Sequence, residues 1–154
     1  MSVLFIGRFQ PLHNGHVSVI QQHPNLVIAI GSSQYSRTAD NPLTAEERRW
    51  CLQQVTTAPI VEVQDIHDDA GWVEHLLKIV YTVTPTVDQV VRGNDLVQRL
   101  CRQAGLTVLP IIPLLPIDAT TIRQLIRSHN PIWKQYVPES IHTCIAGIIA
   151  ETGT

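Results

Sequence analysis

An apolar run, Val3-Leu4-Phe5-Ile6, stops at Gly7-Arg8, and a few residues later comes His13-Asn14-Gly15-His16. The run reads as a short buried strand. Val17-Ser18-Val19-Ile20-Gln21-Gln22 then continues as a helix. A buried strand handed straight to a helix is the opening of an α/β unit. Such a junction holds phosphate groups well, because free N–H groups and the positive end of the helix point outward there. Gly7 lets the backbone approach a ligand closely. Pro11 stiffens the turn and blocks an early helix. Asn14 is the candidate cap, and Gly15 leaves room beside two imidazoles. His13 and His16, three residues apart at a helix start, can face one ligand together. The plainer alternatives are a surface coincidence or a pair of metal ligands. An arginine after a strand, such as Arg8, is ordinarily just solvated. The convergence of Gly, Arg, Pro and both His on one junction favours an anion site. A zinc site is disfavoured, because Cys51, Cys101 and Cys144 are scattered and no third ligand follows at a recognisable spacing.

A chain of 154 residues suits one domain spanning 1–154. With 44% apolar residues it can build a core, and 16% charged is too few for disorder. The formal net charge of −2 gives no bulk attraction to DNA or RNA, so any anion site is local. Unpaired cysteine spacing fits a reducing compartment. The opening apolar run is too short for a signal peptide or a membrane span. A cytoplasmic protein without membrane partners is expected.

The rest of the chain alternates in the same way. Leu26-Val27-Ile28-Ala29-Ile30 reads as a second strand, apolar on both faces, and it ends at Gly31-Ser32-Ser33. Thr44-Ala45-Glu46-Glu47 is a capping box opening a helix through Arg48 to about Val55. Residues 59–64 form a third strand with an acidic tip, Asp65-Ile66-His67-Asp68-Asp69. Trp72, Val73, Leu76, Leu77 and Val80 recur at helical spacing. On spacing alone Trp72 is an ordinary core aromatic, and Asp65 and Asp69 belong to a solvated loop with a helix cap.

A fourth strand, Val87-Asp88-Gln89-Val90-Val91, ends at Arg92-Gly93-Asn94. The next helix carries an apolar stripe of Leu96, Val97, Leu100, Cys101 and Ala104, with Gly105 as its terminator. Residues 107–112 form a fifth strand, placed at an edge by Pro110. Asp118-Ala119-Thr120-Thr121-Ile122-Arg123 starts a helix burying Ile122, Leu125 and Ile126. Its start is either a second anion site or plain capping beside a solvated arginine. Pro138 suits the first position of a C-terminal helix at about 138–150, packing Ile141, Ile145, Ile148 and Ile149. Together these predict a doubly wound parallel α/β sheet of about five strands, with His13 to His16 at its carboxyl edge.

The string Gly7-Arg8-Phe9-Gln10-Pro11 followed by His13-Asn14-Gly15-His16 resembles the first signature of the nucleotidylyltransferase superfamily, in the form found in archaeal-type nicotinamide mononucleotide (NMN) adenylyltransferases. Gly31-Ser32-Ser33-Gln34 with Asn41-Pro42-Leu43-Thr44-Ala45-Glu46-Glu47-Arg48 is similar to their second motif, with Arg37 where a His is usual. Gly93-Asn94-Asp95-Leu96-Val97-Gln98-Arg99-Leu100 also resembles the family, Arg92 replacing its usual Ser. Thr121, Ile122 and Arg123 match the superfamily's second signature, whereas Ala119 and Thr120 replace its Ser and Gly. An arginine that the archaeal enzymes carry slightly earlier has no match in Leu114-Leu115-Pro116. Trp133 and Val137-Pro138-Glu139-Ser140 are similar to the family's C-terminal end.

The resemblance implies adenylyl transfer from ATP to NMN, giving NAD and pyrophosphate, with Mg²⁺ carried mainly on ATP phosphates. It implies catalytic roles for His13, His16, Arg8 and Arg123. ATP would meet these together with Gly7, Phe9, Gly15, Gly93, Asn94 and Thr121. NMN would meet Ser32, Gln34, Asn41, Arg48, Asp65 and Trp72. ATP and NMN are then the small-molecule partners, nucleic acid is not one, and a homo-oligomer is expected. Two other readings stay open at this level. One is the same fold serving another phosphorylated acceptor, such as phosphopantetheine or a sugar phosphate. The other is a nucleotide-binding protein without catalysis, which Ala119 and the missing arginine motivate.

Overall fold

The alternation predicted from the sequence is present in the computed structural model, which describes residues 2–92, 94–110 and 117–153. The chain forms two compact units. One comprises Met1–Arg8, His23–Ser33 and Ala58–Ile112, and the other Phe9–Gln22, Gln34–Thr57 and Pro113–Thr154.

The first unit holds the sheet. Strands β1 (Ser2–Gly7), β2 (Leu26–Ile30), β3 (Ile60–Glu62), β4 (Val87–Arg92) and β5 (Thr107–Leu109) pair in parallel in the order β3-β2-β1-β4-β5. Every residue of β2 is buried, and so are Val3 to Ile6 of β1. That is why these strands read as unbroken apolar runs instead of alternating ones. The strand order reverses at β1, with β2 and β3 on one side and β4 and β5 on the other. In open α/β sheets the carboxyl end of such a switch point is where ligands bind. It lies where Gly7-Arg8 leads out of β1. As Pro110 requires, β5 is an edge strand. Its described span is Thr107–Leu109, followed by Pro110, which has no N–H to donate; residues 111 and 112 of the expected strand lie outside the described residues.

Helices α3 (Asp69–Val80) and α4 (Asp95–Gln103) complete this unit. Val73, Leu76 and Val80 of α3 and Cys101 of α4 join Leu4, Ile6, Val27, Ala29 and Val90 in one buried cluster. Trp72, Val97 and Leu100 pack on its margin. The expected α4 stripe is narrower than its pattern, since Leu96 and Ala104 are exposed. The helix ends as Gly105 foretells. Leu106 N–H donates to the Cys101 carbonyl and Gly105 N–H to that of Arg102, both at 3.0 Å, with Gly105 at φ +86°. This pairing of orphan carbonyls needs a left-handed residue, which glycine supplies without a Cβ penalty.

The second unit is helical: α1 (Asn14–Gln22), α2 (Ala45–Gln53), α5 (Ala119–Arg127) and α6 (His142–Glu151), with 3₁₀ turns at Pro131–Gln135 and Glu139–Ile141. Helix α5 packs against α6 and the Pro131–Gln135 turn. The C-terminal helix differs from the expected 138–150. Pro138 precedes a short 3₁₀ turn, and the α-helix proper starts at His142. Ile141, Ile145 and Ile149 are buried as expected, whereas Ile148 is half-buried. The capping box at α2 is present. Glu47 N–H donates to Thr44 Oγ1 at 3.1 Å, and Thr44 N–H donates to Glu47 Oε1 at 2.8 Å. Thr44→Ala is expected to cost about 1 kcal/mol of stability, read as a lower midpoint in denaturant titration; an unshifted midpoint would show that the cap is idle. No helix among the described residues is long and apolar enough to cross a membrane.

Candidate active site

The second unit begins at Phe9, directly after Gly7-Arg8. Phe9 is a buried residue with φ +56°, in the left-handed region. A bulky side chain there costs of order 1–3 kcal/mol and persists only where its surroundings impose it. Ser32 and Arg37 also have positive φ, at +49° and +57°. Phe9, Ser32 and Arg37 fall in stretches that the sequence marks as functional, while His67 and His129, at φ +54° and +56°, share the conformation elsewhere.

His13 is the N-cap of α1, not Asn14 as expected. The His13 carbonyl accepts from Val17 N–H at 3.1 Å, the first intrahelical bond. Gly15 N–H donates to His13 Nδ1 at 3.1 Å, and His13 N–H donates to His16 Nδ1 at 3.0 Å. The two imidazoles thus act as a variant of the capping box: His13 caps the N–H of Gly15, one residue short of the usual position, and His16 reaches back to the His13 N–H. Asn14, displaced from the cap, donates through Nδ2 to the Gln135 carbonyl at 3.1 Å and through its backbone to that of Tyr136 at 2.8 Å.

This arrangement assigns the tautomers. With both Nδ1 lone pairs accepting backbone N–H groups, each neutral ring carries its proton on Nε2. Each therefore offers one Nε2–H donor. The rings stack, with centroids 3.7 Å apart and planes at 27°, and Phe9 lies 4.8 Å from His16. Both histidines are buried. Imidazole N–H donors at a helix N-terminus are chemically suited to phosphate oxygens. The signal was in the sequence: His-x-x-His has the spacing of a capping box.

Arg123 is buried, 7% exposed, and not solvated. Its Nη1 donates to the Gln10 carbonyl at 2.9 Å, and its Nη2 donates to Thr120 Oγ1 at 3.3 Å and lies 3.6 Å from Asp40. Asp118 caps α5 by accepting from Thr121 N–H at 2.7 Å, a bond that holds its carboxyl below the usual range. Thr121 itself is exposed. Gln10, which the sequence reading passed over, is 2% exposed. Its amide pairs with Leu43 at both ends, Nε2 to the carbonyl at 2.9 Å and Leu43 N–H to Oε1 at 2.8 Å.

The segment before α2 is held by arginines. Arg37 forks onto Glu47 at 2.7 and 2.9 Å and also donates to the Pro42 carbonyl at 2.9 Å. The Arg37 bond chiefly holds Glu47 below the usual carboxylate range. The pair therefore supports the fold above about pH 4, and that support fades as acid protonates Glu47. Arg127 donates to the Ala39 carbonyl at 2.7 Å. Arg48 is 0% exposed, with donors to the Thr44 and Tyr35 carbonyls, both at 3.2 Å. Asn41 closes a turn through Thr38, and Gln34 is exposed. Nearby in sequence, burial beside Cys144 pushes the Cys51 thiol up to about 12, so the two cysteines, scattered in sequence, meet in the fold.

In the first unit, Ser32 Oγ donates to Asp65 Oδ2 at 2.7 Å. Arg8 is exposed at the end of β1, and Trp72 stands half-buried in the first turn of α3. Asn94 caps α4, its Oδ1 accepting from Val97 N–H at 2.9 Å. Gly93 lies outside the described residues. Among the described residues no three His, Cys, Asp or Glu side chains converge on a metal.

A parallel sheet with a switch point at β1, leading into a histidine-capped helix, defines a nucleotidyltransferase-type α/β protein. The chain belongs to the cytidylyltransferase-like family, whose model matches residues 4–142. It is 36% identical over 167 residues to nicotinamide-nucleotide adenylyltransferase of Ignicoccus hospitalis, covering 99% of this chain and 93% of that one. The enzyme of the same name from Methanospirillum hungatei is 37% identical over 149 residues, covering 90% and 83%. Among solved structures, a bifunctional NMN adenylyltransferase/ADP-ribose pyrophosphatase from Francisella tularensis, complexed with AMP and a manganese ion, matches with a TM-score of 0.70 at 20% identity. That match covers 97% of this chain and 52% of the other, so this chain spans about half of the bifunctional protein.

Proposed function

We propose that this chain transfers the adenylyl group of ATP to NMN, giving NAD and pyrophosphate. The observation that carries the reading is the imidazole capping box, with its two Nε2–H donors at the start of α1. The relatives that match nearly end to end bear the corresponding name. In this reaction an NMN phosphate oxygen attacks the α-phosphorus of ATP in line, and the bond to the pyrophosphate oxygen breaks. The second pKa of a phosphate monoester is about 6, so the nucleophile is already mostly dianionic and no general base is needed. Catalysis then rests on alignment and on charge stabilisation at the transferring phosphoryl group.

His13 and His16 donate to the α-phosphate, and Arg8 and Arg123 take the β- and γ-phosphates. Gly7 and Gly15 let backbone approach the nucleotide, Phe9 backs His16, and Gly93, Asn94 and Thr121 belong to the nucleotide side. Arg48 acts through the carbonyls it holds. Asp65, oriented by Ser32, and Trp72 serve the cationic nicotinamide ring, with Gln34 and Asn41 on the acceptor side. A hard divalent cation such as Mg²⁺ takes few carboxylates when phosphate oxygens are available. When bound it neutralises phosphate charge.

A coupled assay of NAD formation from NMN and ATP tests the reading, with phosphopantetheine as the control acceptor. Turnover with phosphopantetheine and none with NMN would overturn it. Trp72→Ala is expected to weaken NMN binding by about 0.5–2 kcal/mol through the lost cation–π contact, with ATP binding near wild type. Because Trp72 also packs on the core cluster, thermal melts must accompany the titration. A lower melting temperature with unchanged NMN affinity would make it a core residue only.

A further inference from the structure

We infer that Gln10 is a positioning residue, which sets the phosphate-binding guanidinium of Arg123 and the entry to α2 with one side chain and one carbonyl. The inference rests on the proposed ATP role of Arg123. Gln10 is almost fully buried, yet it is polar at both ends. Its amide reproduces a strand pairing with Leu43, accepting from the N–H at 2.8 Å and donating to the carbonyl at 2.9 Å. Both Leu43 groups are satisfied by this one side chain. Leu43 is itself fully buried, so an orphaned N–H there is costly.

The Gln10 carbonyl meanwhile accepts from Arg123 Nη1 at 2.9 Å. With Nη2 also donating to Thr120 Oγ1 at 3.3 Å, the guanidinium plane is set by both partners, of which the Gln10 carbonyl is the closer. Pinning the Gln10 side chain to Leu43 thus fixes the carbonyl that aims Arg123. Gln10 is also flanked by Phe9, whose left-handed φ of +56° must be held by its neighbours. Both ends of the amide are engaged by Leu43, so Gln10 acts through Arg123 and not on substrate.

Isothermal titration of ATP into wild type, Gln10→Met, Arg123→Ala and the double variant tests this. Methionine fills a similar volume and abolishes both bonds to Leu43. Gln10→Met is expected to weaken ATP binding about 3–10-fold, while adding nothing further on top of Arg123→Ala, because residues acting as one unit are not additive. An unchanged affinity in Gln10→Met, or effects that add in the double variant, would overturn the inference. If Gln10→Met fails to fold, Gln10→Asn, which keeps the amide one methylene too short, carries the same cycle. Wild-type protein that ignores ATP removes the functional reading and this inference with it. Wild-type binding that Arg123→Ala weakens and Gln10→Met does not removes the Gln10 role alone.

Discussion

The His16→Ala protein is expected to lose about 10²–10³ in kcat while keeping its fold and most of its affinity for ATP. The expectation follows from how the ring is held. His16 Nδ1 accepts the His13 N–H at 3.0 Å, so the neutral ring carries its proton on Nε2. A donor fixed by the backbone needs no reorganisation as charge builds on the α-phosphate, and it therefore acts more on the transition state than on bound ATP. The same substitution removes an acceptor from the helix start, so some stability is lost as well. His16→Gln separates the two effects. A Gln at this position can accept the His13 N–H as in an ordinary capping box, but it offers no imidazole donor. It should recover the melting temperature lost in His16→Ala without recovering turnover. A His16→Ala enzyme with wild-type kcat would remove His16 from the chemistry.

Much of the fold was legible because apolar runs and breakers carried it. The unbroken runs at Val3 to Ile6 and Leu26 to Ile30 are buried strands, Gly105 is a left-handed terminator, and Pro110 marks the edge strand. Errors came where local propensity yielded to specific contacts. Asn14 is the better cap by propensity, yet His13 holds the cap, because its imidazole reaches Gly15 N–H and its own N–H has a partner in His16. Pro138 fits a first helical turn, but the chain makes a 3₁₀ turn before α6.

For the site, residue types were readable and partners were not. Nothing in spacing says that Ser32 meets Asp65, that Arg37 forks onto Glu47, or that Cys51 lies beside Cys144. Gln10 stands inside the first signature, yet nothing there gives it a role, which exists only once Leu43 and Arg123 are beside it.

Arg123→Ala is expected to raise the KM for ATP about 10–100-fold and leave the KM for NMN and kcat nearly unchanged. Hydrogen bonds to a charged group contribute about 1.5–3 kcal/mol, and about 1.4 kcal/mol is tenfold in affinity. The sequence left two readings of this residue, an anion ligand or a solvated arginine on a capped helix. Its 7% exposure removes the solvated one and raises another, a structural brace on Gln10. The charge argues beyond a brace. A carboxylate oxygen of Asp40 is 3.6 Å from its Nη2, on a side chain 83% exposed. A solvated pair at that distance contributes little. A neutral donor would have sufficed to satisfy a carbonyl. Arg123→Lys tests the distinction, because it restores the charge but not the fork. Partial recovery of ATP affinity in Arg123→Lys is the expected result, together with a wild-type ATP affinity that falls more steeply with added salt than that of Arg123→Ala. A brace alone predicts the opposite pattern: both variants would melt at lower temperature, and neither would change the KM for ATP.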